Sequence, residues 1–406
     1  MPLLLNSDPQ HRSPLDEPDR SSFGNAAAAE ALSFMSARAD YVPTPLHELR
    51  QLAERLGVGT IFVKDESTRF GLGSFKALGG SYAVERLVLE EAGRRLERSL
   101  GSHDLRNSDV RQIAQSVTVA CATDGNHGRS VAQGAQLVGA KAVIFVHAGV
   151  SEERVRAISQ LGARIVRVDG TYDDSVEEAS RVAAENGWIP VSDTSWPGYE
   201  RIPSLVMQGY TVLVSELMEQ MPAPPTHLFI QAGVGGVAAA LAARFALVLQ
   251  ERRPFVTVVE PSRAACVLQA ALSGRAVRIA PGEATVMAML ECYEASMVAW
   301  RILSKAGDAF MTVDEDEAIE AMKALANPAA GDTAIVAGES GAVGLAGLIN
   351  VAGDEKARHE LGLGPDSRVL VVNTEGATDP KQYARLTGLS PDQVRPSASP
   401  APRRPA

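Results

Sequence analysis

From residue 117 to 191, short apolar runs alternate with longer segments of mixed polarity, and each change is marked by a glycine or a capping residue. VTVACA (117–122), KAVIFV (141–146), ARIVRV (163–168) and WIPVS (188–192) read as four strands, because β-branched and aromatic runs of this length suit a buried pleated surface. The intervening segments predict helices. One covers 128–138; SEERVRAISQLG starts on Ser151 as N-cap and stops at Gly162; YDDSVEEASRVAAENG stops at Gly187. A second series runs through THLFIQA (226–232), a helix over 237–250, FVTVVE (255–260) and the late strand SRVLVVN (367–373). Such alternation predicts an α/β protein whose mostly parallel strands carry helices on both faces.

The ends depart from this pattern. SDPQHRSPLDEPDRSS near the start and LSPDQVRPSASPAPRRPA at the end are rich in Pro, Ser and charge. Segments of that composition bury too little apolar surface to offset their ordering entropy, so residues 1–25 are expected as a flexible tail and 389–406 as a disordered one.

With 406 residues, 45% hydrophobic and 22% charged, the chain has room for two lobes with a full core. A net charge of −10 argues against a surface for nucleic acid or anionic membrane. No stretch approaches the roughly 20 apolar residues of a membrane span, and MPLLLNSDPQHRS lacks the basic leader and apolar length of a signal peptide. Cys121, Cys266 and Cys292 form a sparse, odd set without C-x-x-C spacing. That fits a reducing compartment and no zinc site, so a cytoplasmic location is expected; two of the three could still pair.

Four segments at strand ends or helix starts hold candidate chemistry, where open α/β sheets place ligands. In GLGSFKALGGSYAV (71–84), Ser74 is a plausible N-cap and Lys76 falls in the first helical turn. The helix dipole there lowers a lysine's pKa and favours it as a nucleophile toward a carbonyl. Read alone, Lys76 is equally a solvated residue opening an amphipathic helix. In ATDGNHGRSVA (122–132), Thr123, Asp124, Gly125 and Asn126 form an anion-receptive helix start suited to a substrate carboxylate. An Asx turn would explain Asp124 and Asn126 as well, and His127 reads as structural. In QAGVGGVAAA (231–240), Gly233, Val234, Gly235, Gly236 and Val237 offer backbone N–H groups to a phosphate. A dinucleotide turn is the other reading, with Glu260 as the ribose acid, but G-x-G-G departs from G-x-G-x-x-G. In VVNTEGATD (371–379), Thr374 presents a hydroxyl at a strand end, suited to a neutral ring nitrogen or to an ordinary turn.

In this order, over about residues 40–385, these segments resemble the fold-type II pyridoxal phosphate (PLP) enzymes. The resemblance makes Lys76 the aldimine lysine and Asn126 the partner of the cofactor's phenolic oxygen. It assigns the phosphate to the backbone from Gly233 to Val237 and the pyridine nitrogen to Thr374. It also implies a large lobe from 26–85 and 195–388, a small inserted lobe at 86–194, and a homodimer. Within the family the chain is similar to the diaminopropionate ammonia-lyases, through ATDGNHGRSVA and SDTSWPGYERIPSLVMQGY (192–210). Serine and threonine deaminases usually carry serine where this chain has Asp124. The stretch TVMAMLECYE (285–294) departs from the lyase pattern, with Met289 and Glu291 in place of small glycines.

The implied reaction is elimination of ammonia from 2,3-diaminopropionate. A second amine suits a pocket holding carboxylates, since an unpaired buried ammonium is costly. Asp124 and Asp193 are the candidates, for substrate binding and as bases; Asp193 also reads as a turn cap. The alternatives are a serine/threonine deaminase-like lyase, a β-replacement synthase, a cofactor-free binding protein and, last, a nicotinamide dehydrogenase.

Overall fold

The computed structural model describes residues 2–123 and 125–395, and for Asp173 the backbone alone. Its strands are β1 (Leu3–Leu5), β2 (Leu46–Glu48), β3 (Thr60–Asp65), β4 (Thr118–Ala122), β5 (Lys141–His147), β6 (Arg164–Val168), β7 (Ile189–Pro190), β8 (His227–Gln231), β9 (Phe255–Pro261), β10 (Ala309–Val313) and β11 (Arg368–Asn373). They form a seven-stranded sheet ordered β1-β10-β9-β8-β11-β3-β2 and a four-stranded sheet ordered β6-β5-β4-β7. Only the edge pairs β1–β10 and β2–β3 are antiparallel. β8 and the inner part of β9 are buried, as strands covered on both faces should be, which is why they read as continuous apolar runs.

The sheet order determines what meets what. β8, β11 and β3 are neighbours and parallel, so the segments leaving their C-terminal ends emerge side by side. Those segments are the glycine loop after 231, Thr374, and the loop that carries Lys76. In the smaller sheet β4 and β7 are parallel neighbours, which brings Thr123 and the start of the following helix beside Asp193.

Helix boundaries largely match the sequence pattern. Ser151 caps Glu152–Ser159 and accepts from the Arg154 amide at 3.4 Å, and Gly187 ends Tyr172–Asn186 in a left-handed turn at φ 66°. The helix expected from 128 begins two residues earlier, as Asn126–Val138. Lys76 opens Lys76–Leu96, and the N-cap is Phe75 rather than Ser74; Ser74 is buried with an unpartnered hydroxyl.

The glycines after Lys76 serve packing. A Cβ at Gly80 would lie 2.7 Å from Ser130 Oγ, and one at Gly134 would lie 2.7 Å from Ser81 Cα. The Lys76 and Asn126 helices therefore approach backbone to backbone.

The N-terminal segment is folded, not a flexible tail. β1 covers the free edge of β10, pairing Leu3 with Met311 and Leu5 with Ala309. Phe23 on the helix Glu17–Phe23 is fully buried. An exposed strand edge carries unpaired backbone groups, and that demand outweighs the polar composition here. Of the expected C-terminal tail, Pro391–Val394 is a short helix with Val394 buried, and Arg395 donates to Ser67 at 3.0 Å. The remainder of that expectation, 396–406, lies outside the described residues.

A buried ion cluster anchors the loop before Lys76. Arg69 donates to Glu66 Oε1 and Glu216 Oε1, both at 2.7 Å, and Lys64 reaches Glu216 Oε2 at 2.6 Å. Charges this deep are tolerated only when fully partnered. Next to them Phe70 adopts a left-handed φ of 49° and Arg38 lies 3.5 Å over its ring. Loop and lysine are thereby fixed to the large sheet.

Candidate active site

Lys76 Nζ donates to Asp193 Oδ2 in a short hydrogen-bonded ion pair. About a fifth of each side chain is exposed, at 21% and 19%. Burial alone pulls the lysine's pKa down, but the Asp193 carboxylate and its hydrogen bond outweigh burial, and the net shift is upward. This corrects the expectation of a lysine lowered by the helix start. A dipole effect near 1 kcal/mol cannot match a full charge in contact. Asp193 in turn is held well below the usual carboxylate range: burial raises it, while Lys76 and then His127 lower it by more.

His127 Nε2 donates to the Val191 carbonyl at 2.8 Å, and its Nδ1 stands 3.9 Å from Asp193 Oδ2. Burial, the largest influence, lowers its pKa. His127 thus steadies the segment that carries Asp193, in keeping with its structural reading. Thr123 Oγ1 accepts from the amides of Gly125 at 3.0 Å and Gly128 at 3.1 Å, closing the turn that starts the Asn126 helix. Asp124 lies outside the described residues.

The glycine loop opens the helix Gly236–Leu249. Gly235 sits at φ 92°, and a Cβ there would come 3.2 Å from that of Ala299. The first-turn amides that follow have no intrahelical acceptor and face outward as an anion cradle. A Cβ on Gly236 would lie 4.0 Å from the Asp193 carbonyl oxygen, so the cradle adjoins the Lys76–Asp193 pair. Cys266 Sγ donates to the Gly233 carbonyl at 3.4 Å, and Cys292 Sγ lies 3.0 Å from a Cβ placed on Gly233; none of the three cysteines is in a disulfide.

Thr374 is buried at the end of β11. Gln231 Nε2 donates to its hydroxyl oxygen at 2.7 Å and lies within 2.9 Å of the carbonyls of Ser340 and Gly341. Because the Gln231 donor end faces Thr374, the threonine's own O–H must seek another acceptor. A neutral ring nitrogen supplies one. A primary amine, an anion cradle and a free hydroxyl donor at three adjoining strand ends fit pyridoxal phosphate.

One alternative from the sequence loses its support. Glu260 is buried and spends both oxygens on the amides of Val267 and Leu268, each at 2.7 Å, so it caps a helix and is not placed to meet a ribose. Within 285–294, Glu291 accepts from Tyr293 at 2.6 Å and from the Thr285 amide at 3.2 Å. Met289 reaches the site instead.

Met289 lines a cleft of about 320 Å³ together with Gly125, Asn126, Arg129, Arg154 and Thr378; Lys76 and the glycine loop stand outside its walls. Asn126 Nδ2 donates to Glu375 Oε2 at 2.6 Å. Glu375 and Gln231 are the site residues that sequence reasoning missed. The signal was a polar residue at the end of an apolar strand run, in THLFIQA and in VVNTEG. Among the described residues there is no cluster of side chains that could hold a metal ion, and no helix is long and apolar enough to cross a membrane.

Comparison with known proteins agrees with this geometry. Residues 37–375 match the family model described as pyridoxal-phosphate dependent enzyme. Diaminopropionate ammonia-lyase from Escherichia coli (strain K12) is 40% identical over 380 residues, covering 92% of this chain and 94% of the relative. The chain belongs to the diaminopropionate ammonia-lyase family of PLP-dependent enzymes. A crystal structure of the Escherichia coli diaminopropionate ammonia lyase in complex with an aminoacrylate-PLP azomethine reaction intermediate superposes with a TM-score of 0.84 at 37% identity, covering 95% of this chain and 96% of that one. Threonine deaminase isoform 2 from Solanum lycopersicum, at 20% identity and TM-score 0.70 over 96% of this chain and 98% of that one, shares the fold. The α/β architecture of this ammonia-lyase family member is that of fold-type II.

The glycine cradle makes a direct prediction. Gly235→Val adds a branched side chain at a φ that L residues rarely adopt, 3.2 Å from Ala299. PLP retention on dialysis should fall about tenfold or more, with a smaller change in thermal midpoint of the cofactor-free protein. Equal loss of both would leave Gly235 with a purely structural role.

Proposed function

We propose that this protein uses pyridoxal phosphate to eliminate ammonia from 2,3-diaminopropionate. The observation that carries the reading is the Lys76–Asp193 pair beside the glycine cradle, an amine and a carboxylate joined where β3, β8 and β11 end. Family membership supplies the substrate class. The cofactor, when bound, withdraws the electron pair released at the substrate's Cα.

The chain's own residues do the rest. Lys76 Nζ supplies the cofactor's attachment point and a base for the Cα proton of one enantiomer. Asp193 holds the proton on Lys76 Nζ and takes part in moving it. The amides of Gly236 and Val237 bind phosphate, the Thr374 hydroxyl donates to the ring nitrogen, and the Asn126 amide donates to the cofactor's phenolic oxygen. Thr123 and Gly125 shape the turn for the substrate carboxylate. Asp193 sits on Lys76 itself, which leaves Asp124 as the base for the opposite enantiomer. Loss of the Cα proton and of the β-amine as ammonia leaves 2-aminoacrylate; water then converts it to pyruvate and a second ammonia.

The deciding experiment is a visible spectrum of the purified protein, followed by pyruvate release from D- and L-diaminopropionate, serine and threonine. Turnover of diaminopropionate well above serine and threonine is expected. The reverse order would favour the deaminase-like reading. Asp124→Asn should reduce turnover of the D form at least about tenfold more than that of the L form. Equal losses would reduce Asp124 to a turn residue.

We also infer a small lobe over 86–194, supported by the four-stranded sheet within 118–190, although the 85/86 boundary falls inside the helix Lys76–Leu96. A cytoplasmic homodimer belongs to the same reading. Three cysteines outside any disulfide suit a reducing compartment, and light scattering of the holoenzyme tests the dimer.

A further inference from the structure

Glu375 directly follows Thr374 and is 2% exposed. Its backbone is held on two sides: the Gly338 amide donates to its carbonyl at 2.9 Å, and it bridges to Ser74, two residues before Lys76. The neighbouring residues reinforce that join, with Phe75 N donating to Thr374 O at 2.9 Å and Gly376 N to Gly73 O at 3.0 Å. The side chain crosses to the other sheet's segment, where Oε2 accepts from Asn126 Nδ2 at 2.6 Å. Its Oε1 is buried as well. Burial of this order is costly for a carboxyl group.

We propose that Glu375 is a positioning residue that fixes the orientation of the Asn126 side-chain amide. An ionised carboxylate can only accept, so it draws the NH2 end of the amide and excludes the flipped arrangement in which Oδ1 would take that place. An amide nitrogen carries two hydrogens. With one directed at Glu375, the other is held in a set direction for an acceptor in the site. The inference rests on the PLP reading for the identity of that acceptor, the cofactor's phenolic oxygen. Glu375 itself touches Asn126 and acts through it.

The surroundings fit a group poised for this task. Burial and then the charge of nearby Glu339 push the Glu375 carboxyl up to about 7, while the Asn126 hydrogen bond and the Arg154 charge pull it down. Glu339 is likewise buried and raised. The Asn126 donor, the Arg154 charge and the Ser340 hydroxyl favour the ionised, accepting form against that burial.

The test is a double-mutant cycle on the holoenzyme, reading the rate of PLP loss on dialysis and the position of the visible band. Glu375→Ala should speed PLP loss about tenfold and shift the band, as Asn126→Ala should. The double variant should lose PLP no faster than Asn126→Ala alone, because residues acting as one unit are not additive. Glu375→Gln retains an acceptor oxygen for Nδ2 but can also turn its NH2 toward Asn126 Oδ1, so its retention should fall between wild type and Glu375→Ala; it also guards against failure of the alanine variant to fold. Additive losses, or a Glu375→Gln variant as poor as Glu375→Ala, would overturn the positioning role. Wild-type protein without a PLP band would instead defeat the functional reading on which it rests.

Discussion

Lys76→Ala is expected to remove the visible band of the attached cofactor and to lower diaminopropionate turnover by about 10⁴-fold or more, since attachment and proton abstraction are lost together. Lys76 is the amine that meets the glycine cradle through Asp193. The variant has a second, structural consequence. Asp193 loses the charge that holds its carboxyl low, so its pKa rises. His127 loses a neighbouring positive charge that had lowered its own pKa, so its pKa also moves up. His127, 3.9 Å from Asp193, becomes the remaining partner. Borohydride reduction followed by peptide mapping checks the assignment. A reduced cofactor linkage at another lysine in the Lys76→Ala protein would show that Lys76 is not the attachment point.

Asp193→Asn should leave PLP attached yet reduce turnover by about 10²–10⁴-fold, the range for loss of a proton-transfer group. Asparagine keeps the size and one acceptor oxygen but not the charge. Without that charge, burial acts on Lys76 against only the weaker influence of Tyr210 and Cys292, and its pKa falls below the present raised value. Attachment of the cofactor is then no harder, because the free amine is the reactive form. What is lost is the group that holds and returns the proton. In the cofactor-free protein the same change should cost about 1–3 kcal/mol, less than the 3–5 typical of a fully buried pair, since about a fifth of each side chain is exposed.

The sign of the pH dependence follows from the two shifts. The depressed carboxyl contributes stability that is present above its unfolded value near 4 and is lost as pH falls through the folded one. The raised lysine contributes stability present below its unfolded value near 10.4 and lost as pH rises through the folded one. Between about pH 7.5 and 9 the stability difference between wild type and Asp193→Asn should therefore be flat, whereas at lower pH His127, whose pKa the Asp193 charge raises, adds a slope. A marked slope there, in denaturant titrations of the cofactor-free proteins, would mean that another group titrates with the pair.

Local pattern was enough for the strands of the smaller sheet and for β8, β9 and β11 of the larger one, though not for β1, β2, β3 or β10. Apolar runs such as VTVACA and THLFIQA have few other ways to be buried, and a residue such as Gly187 at φ 66° ends a helix wherever the chain goes. The positions of Lys76 and the glycine loop were legible for the same reason: each lies beside its own helix start, and sequence neighbours make a helix start. The chemistry of Lys76 was not legible. Its dipole is local, but Asp193 is 117 residues away, and a contact charge decides the direction of the shift. Asn126 and Glu375, 249 residues apart, likewise meet only because β4 and β11 deliver their loops to one place. The N-terminus shows the converse. Composition alone made residues 1–25 a tail, while the uncovered edge of β10 makes them a strand and a docked helix. Periodicity records which residues are buried, since burial repeats with the local geometry of helix and strand. Strand order decides which of them touch, and a sequence carries no local trace of strand order.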